Sequence, residues 1–352
     1  MTRSRTYIAT PPGATIKEQL DNRGMNQKEF ASRMDMSQKH ISRLINGEVQ
    51  LTPDVANRLE MVLGLPARFW NKLEATYREK IAKAEAENAM DEDCEIVKKF
   101  PYKQMAEYNW VPETKNAKEK VVSLRQFFEV AELSLIQSKD TLIPRIACRR
   151  QSITEKADYA LVAWAQKAKL EARNYTVSKI NVKHLEQSLM EIREMTTMSP
   201  NEFCPRLRSL LAGCGIVIIY LPHIGGSFLH GATFYDRNKI VIGLTVRGRD
   251  ADKFWFSLFH EIGHVILGHI NQEEGTTSED ESAADDFARE HLISRELFDP
   301  FARTGDFRKE AIIAFAKKIG VDPGIVVGRL QKEGLIEFSW HNDLKRKYKI
   351  SA

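Results

Sequence analysis

The sequence predicts a mainly α, multidomain protein with a small β-sheet near its C-terminal end. Three observations carry this. The first ~70 residues are short helical stretches punctuated by Asn, Ser, Thr, Gly and Pro at cap and stop positions. A long middle stretch shows helical spacing and few strand signals. Beyond residue 200, short β-branched runs precede one strongly apolar helix that contains two histidines four apart. The expected boundaries are 1–72 for an all-α N-terminal domain and 73–200 for a helical connector. An α+β domain with three strands is expected over 201–300, and a C-terminal helical cap over 301–352.

Composition narrows the setting. The chain has 352 residues and a formal net charge of +4. Residues 1–80 hold 13 Lys+Arg and 9 Asp+Glu, a difference of +4, so the remainder is neutral. The excess therefore sits where a nucleic-acid reader would be sought. The four cysteines form no C-x-x-C pair, which argues against a disulfide framework and against a thiolate-held metal. No apolar N-terminal leader is evident, and no apolar run reaches the ~20 residues of a membrane-spanning helix. A cytoplasmic location is expected.

In the N-terminal domain, Pro11-Pro12-Gly13 marks a turn. Helices are expected over 15–22, 27–34, 38–46 and 54–63. Asn26 and Ser37 are the N-cap candidates, and Gly47 and Gly64 the stops. A brief corner at Asp35-Met36 separates the second and third helices, the layout of a helix-turn-helix. Ala31 is small enough for close helix approach, and Met36, Ile41 and Leu44 would hold the third helix to the core. Gln38, Lys39, Ser42 and Arg43 then face outward as DNA-binding candidates, since Gln pairs with adenine and Arg or Lys with guanine. Gln27, at the start of the preceding helix, can bond a phosphate.

This stretch resembles the HigA-type antitoxin branch of the Cro/repressor helix-turn-helix family. The likeness runs through Pro12-Gly13, Asn26 to Ala31, residues 37–47, Thr52 to Leu59 and Pro66 to Leu73. It implies a dimer on a palindromic operator. Asp35 stands where such turns usually carry Gly, and Asp tolerates the left-handed backbone better than most residues.

From residue 73 to 89 the chain is charged and alanine-rich and reads as an extended connecting helix. Amphipathic helices are expected over 157–171 and 182–195, and Trp110 and Trp164 read as core residues. The phrase Lys98-Lys99-Phe100-Pro101-Tyr102 resembles one found in long HigA-like regulators fused to peptidase domains. A helix over 201–212 leads to strands at 216–221, 232–235 and 239–244, with Asp236-Arg237-Asn238 as a hairpin loop.

The chemistry is concentrated in Phe259-His260-Glu261-Ile262-Gly263-His264. On a helix His260 and His264 share one face and can reach one metal ion, with Glu261 beside them. The flanks from Phe254 to Leu267 mark a helix buried on most sides, and ionisable groups there need partners. His269 is out of register with the H-E-x-x-H-x-x-G-x-x-H pattern, which turns the search for a third ligand to a carboxylate on a second helix. Glu281 and Asp285 lie four apart on such a helix, so Asp285 can orient a ligating histidine.

Phe254 to His264, Leu267-Gly268-His269 and Glu281-x-x-Ala284-Asp285-x-Phe287-Ala288 together resemble the ImmA/IrrE family of zinc metallopeptidases, over about residues 205–295. The resemblance implies a zincin-like fold. It makes His260, His264 and Glu281 the ligands of one Zn²⁺ per chain and Glu261 the general base. His291 and Ser294 depart from the pattern beyond the ligands. His223 and His230 could assist near the strands, although ordinary surface histidines are the better explanation of each. The acidic loop at Glu273-Glu274 reads as solvated, as does the basic tail Lys345-Arg346-Lys347-Tyr348-Lys349.

The expectation is a DNA-binding transcriptional regulator with a zinc-dependent endopeptidase domain that cuts a protein partner such as a repressor. Expected partners are a double-stranded DNA operator, a protein substrate or toxin, and a second copy of the chain. The alternative is an antitoxin-type or repressor protein whose metallopeptidase fold serves as a non-catalytic sensor or docking module.

Overall fold

The computed structural model describes residues 7–88, 90–137, 156–225, 231–245, 250–271 and 276–349. The chain divides into two compact units, Met1–Cys94 and Glu95–Ala352.

In the first unit α1 (Pro12–Asn22), α2 (Gln27–Arg33), α3 (Gln38–Ile45) and α4 (Pro53–Leu63) surround a core of Ile16, Leu20, Phe30, Ile41, Leu44, Leu59 and Trp70. Helix α1 starts three residues earlier than expected, because Pro12 is favourable in the first turn, where its missing N–H is no loss. The expected caps form. Asn26 Oδ1 accepts from the Glu29 amide at 2.9 Å, and Ser37 Oγ from the His40 amide at 3.1 Å. Asp35 takes the left-handed conformation (φ 53°) between α2 and α3. Helix α5 (Ala67–Asn88) begins six residues ahead of its expected start and carries Trp70 into the core.

Helix α6 (Asp91–Val97) runs across the division at Cys94, and α7 (Tyr102–Glu107), α8 (Ala117–Phe128) and α9 (Lys156–Ala172) follow in the second unit. The helix expected over 182–195 is divided into α10 (Val182–Gln187) and α11 (Leu189–Glu194). At the division, Ser188 Oγ donates back to the His184 carbonyl at 2.8 Å, a local bond that competes with the regular ladder. Helix α12 (Pro200–Gly213) then leads into the sheet.

Among the described residues the sheet has three strands, β1 (Ile216–Tyr220), β2 (Gly231–Asp236) and β3 (Lys239–Leu244), in the order β1-β3-β2. β1 and β3 are parallel, with Ile216 opposite Ile240, and β2 and β3 are antiparallel, with Thr233 opposite Ile242. Alternation along the strands sends side chains to two faces. Ile216, Ile218, Ile240 and Ile242 join a core shared with α13 (Ala251–Ile266). On the other face α9 packs, so closely that a Cβ at Gly243 would lie 2.5 Å from the Trp164 ring. Trp164 itself is fully buried.

Four more helices follow, α14 (Ser278–Leu292), α15 (Arg295–Arg303), α16 (Lys309–Ile319) and α17 (Pro323–Lys332). Residues of α16 and α17, among them Ile312, Ala316, Val326 and Leu330, belong to the same core as α13.

The basic tail differs from expectation, because it is docked rather than solvated. Lys345 Nζ pairs with Asp252 Oδ2 at 2.7 Å and Arg346 Nε with Asp322 Oδ2 at 2.8 Å, while Lys347 pairs with Asp250. Tyr348 is buried, and its hydroxyl accepts from Trp255 Nε1 at 3.0 Å. Acidic residues at the start of α13 and α17 supply the partners, which the tail's own composition could not reveal.

Candidate metal centre

Helix α13 is buried along most of its length, and His260, Glu261 and His264 project from its last two turns. Helix α14 crosses it and brings up Glu281 and Asp285. The crossing is tight, since a Cβ at Gly263 would lie 3.1 Å from the Phe287 ring. His260 Nε2 and His264 Nε2 are 3.0 Å apart. Glu281 places Oε2 3.4 Å from His260 Nε2 and Oε1 3.6 Å from His264 Nε2. The three candidate ligand atoms lie within 4.8 Å of one another.

The remaining ring nitrogens are held from behind. His260 Nδ1 is 2.8 Å from Asp285 Oδ1, so it carries the hydrogen and donates it. His264 Nδ1 is 3.0 Å from His269 Nδ1, and His269 Nε2 is 3.4 Å from Asp280 Oδ1. The consistent assignment has His264 donating to His269 and His269 donating to Asp280. Both Nε2 lone pairs then converge beside a carboxylate. Two lone pairs at this separation repel unless a cation or a proton lies between them, so the donor set fits a divalent metal with N and O ligands.

The electrostatics are those of a compact, charged cluster. Burial works against a charged His260, but bonds to Asp285 and Glu281 and the charge of Glu261 outweigh it and hold the imidazole at about 10. Burial raises Glu281, yet hydrogen bonds from His260 and from Thr276 Oγ1 (2.7 Å) draw it well below the usual range. Burial and the neighbouring His260 lower His264. Burial pushes Glu261 up to about 7, against the pull of His260 and of a hydrogen bond from Thr233.

Glu261 is set by the edge strand β2. Thr233 Oγ1 donates to Glu261 Oε2 at 2.6 Å. A Cβ at Gly231 would lie 2.6 Å from Glu261 Oε1, so only glycine leaves the carboxylate its place. Thr233, Gly231, Thr276 and the His269–Asp280 pair were not among the expected site residues. Leu267-Gly268-His269 was visible as a phrase, but strand-to-helix proximity has no local signal.

The chain leading from β1 is clamped by the middle helices. Tyr108 Oη and Gln104 Nε2 donate to the His223 carbonyl at 2.9 and 3.3 Å, and Trp164 Nε1 donates to the Pro222 carbonyl at 3.1 Å. His223 thus enters through its backbone. His230 and the Glu273-Glu274 loop lie outside the described residues.

In the first unit the structure groups the DNA-binding candidates on the exposed side of α3. Gln38, Lys39 and Arg43 are exposed and Ser42 is half-buried, while Ile41 and Leu44 turn inward. Arg43 Nε lies 3.5 Å from Glu48 Oε2. Gln27 is half-buried at the start of α2.

A four-helix N-terminal core with an outward α3, and a sheet-plus-helix unit carrying two histidines and a carboxylate, define a regulator joined to a metallopeptidase-like domain. Residues 16–70 match the helix-turn-helix family and residues 214–331 the IrrE N-terminal-like domain (Peptidase_M78). The chain is 35% identical over 80 residues to the uncharacterized HTH-type transcriptional regulator YddM of Escherichia coli (strain K12), covering 23% of this chain and 81% of that protein. It is also similar to an addiction module antidote protein of a HigA family from Coxiella burnetii. That likeness has 24% identity and a TM-score of 0.22, over 24% of this chain and 92% of that one. The chain belongs to the helix-turn-helix regulators and is a DNA-binding member fused to an IrrE-like domain. Among the described residues no helix is long and apolar enough to cross a membrane.

Proposed function

We propose that this chain is a transcriptional regulator that binds an operator as a homodimer through α3 and carries a zinc-dependent endopeptidase in its second unit. The observation that carries the enzymatic reading is the convergence of His260, His264 and Glu281 with Glu261 beside them. These three side chains would hold one zinc ion, with Asp285 and His269 fixing the two rings. Bound there, zinc would supply Lewis acidity toward a scissile carbonyl and acidify a water.

The protein's own groups do the rest. Glu261, oriented by Thr233, accepts a proton from water at its carboxylate and returns it to the leaving amine. Strand β2 lies at the sheet edge beside Glu261, where an extended segment of a protein substrate can add as a further strand. In the first unit Gln38, Lys39, Ser42 and Arg43 read base edges in the major groove, and Gln27 bonds a phosphate.

The test compares new protein N-termini in cells expressing the wild type or Glu261→Gln, with zinc content measured on both purified proteins. The expected result is zinc in both and new N-termini with the wild type alone. The same N-termini in the variant would remove Glu261 from the chemistry. None with the wild type would favour the non-catalytic sensor or antitoxin-type role.

A further inference from the structure

The segment that follows α17 displays apolar side chains on a fixed backbone. Gln331 is buried, and its Nε2 donates to the Phe338 and Trp340 carbonyls at 3.2 and 2.9 Å. Its Oε1 accepts from Lys345 Nζ at 2.8 Å. Asn342 Nδ2 donates to the Phe338 carbonyl at 2.9 Å, and Ile336 is anchored in the core shared with α13. Yet Phe338 is 73% exposed, Trp340 53% and Leu335 41%. Large apolar side chains gathered in the open on an ordered backbone mark a contact surface.

Beside this loop a cavity of about 1020 Å³ lies between α13, α14, α17 and the C-terminal tail, and Phe338 stands in its lining. Phe256, Leu292, Ile293 and Ile325 supply its apolar surface. Its charged groups are engaged with one another or with their neighbours. Asp250 pairs with Lys253 and Lys347, Asp252 with Lys345, Asp285 with His260, Arg289 with Asp286 and Arg329 with Glu333. A lining so neutralised suits an apolar occupant rather than an ion. Two opposite charges are left over. Lys332 in the lining and Glu337 on the loop are both exposed, and neither makes an ion pair among the described residues. One face thus carries a projecting aromatic pair, an apolar hollow and one free charge of each sign. Such a face is complementary to itself under a two-fold rotation.

We propose that this face binds a second copy of the chain. Trp340 of each copy enters the cavity of the other, Phe338 packs at the cavity mouth, and Lys332 of each copy pairs with Glu337 of the other. A cavity of this size admits a drug-sized molecule, so it has room for an indole ring. The area is adequate. At their exposures the two rings offer roughly 300 Å² per copy. Counted with the walls they cover, over both copies, the contact reaches roughly 1,200 Å², where stable interfaces begin. This association lies wholly in the second unit and rests on neither the metal reading nor the operator reading.

The experiment treats the full-length protein with a zero-length carbodiimide, which joins a lysine to a carboxylate only where the two are in contact. Covalent dimer is separated from monomer on a denaturing gel, and linked peptides are identified by mass spectrometry in both bands. The expected result is a Lys332–Glu337 link in the dimer and not in the monomer. Its yield should fall about tenfold in Trp340→Ala, the loss that removing a central aromatic anchor brings. It should fall similarly in Lys332→Glu and return when Lys332→Glu is combined with Glu337→Lys. All three side chains are exposed, so the variants should melt near the wild type. Reading the position of the link, rather than the presence of a dimer, keeps this contact apart from any pairing through the first unit. A dimer without that link, no dimer at all, or an unchanged yield in Trp340→Ala would overturn the proposal.

Discussion

Two residues of the edge strand place Glu261. Thr233 holds the carboxylate from β2, and Gly231 makes room for it. In Gly231→Ala the added methyl would lie 2.6 Å from Glu261 Oε1, and either the strand or the carboxylate must move. The expected outcome is a fall in peptidase turnover of about 10²-fold with zinc content retained, because misplacing a reacting group by about 1 Å costs that much. Turnover assays with zinc analysis on the same preparation check it. Asp285→Asn acts differently. It replaces the carboxylate that accepts from His260 Nδ1, and zinc affinity should fall about 10- to 100-fold, as read by competition with a chromophoric chelator. The histidine pair, Glu281 and Asp285 were legible in the sequence because each pair is four residues apart on one helix. Thr233, Gly231, His269 and Asp280 were not, since they reach the site only through tertiary packing.

At the scale of elements, α13 is anchored at its start as well as at its histidine-bearing end. Asp250 stands at its N-cap position and pairs with Lys253 and with Lys347 of the tail. Burial raises the Asp250 carboxyl, but the two lysines outweigh it and hold it below its ordinary 3.8. A lowered value in the folded state means a contribution present above 3.8 and lost as pH falls through the lower folded value. Asp250→Asn should therefore melt lower than the wild type at neutral pH, and the two melting temperatures should converge below pH 3.8. The Lys345–Asp252 pair is buried on both sides, with exposures of 7% and 8%. Removing the lysine strands a buried carboxylate, so Lys345→Ala should lose about 3–5 kcal/mol in denaturant unfolding of the second unit. The helix itself was readable from the apolar flanks of its histidine pair, but its start at Ala251 and the role of Asp250 were not. The docking of the tail was not, because a run of basic residues looks solvated until its acidic partners, two of them more than ninety residues away, are folded against it. On α3 the expected pattern is plainer. Gln38→Ala or Arg43→Ala should weaken operator binding by about 1–3 kcal/mol and relax specificity at the contacted base, measured by titration at fixed salt.

At the scale of the molecule, one chain joins a helix-turn-helix in the first unit to a histidine and carboxylate cluster in the second. The mainly α class and the three-stranded sheet followed from periodicity and β-branched runs in the sequence. The packing of α9 on the sheet did not, since a helix in a middle segment carries no local mark of the face it will cover. The middle helices thus contribute to the peptidase-like unit directly, through Trp164 on Gly243 and through the clamp on the Pro222 and His223 carbonyls. The proposed function depends first on His260, His264 and Glu281 holding a metal. The measurement that tests it most directly is metal content by mass spectrometry on purified wild type and His264→Ala. The expected result is about one zinc per chain in the wild type, as four-coordinate N/O sites of this kind bind, and its loss in the variant. A wild type without metal after zinc is supplied, or a variant that keeps it, would show that these three side chains do not form a metal site.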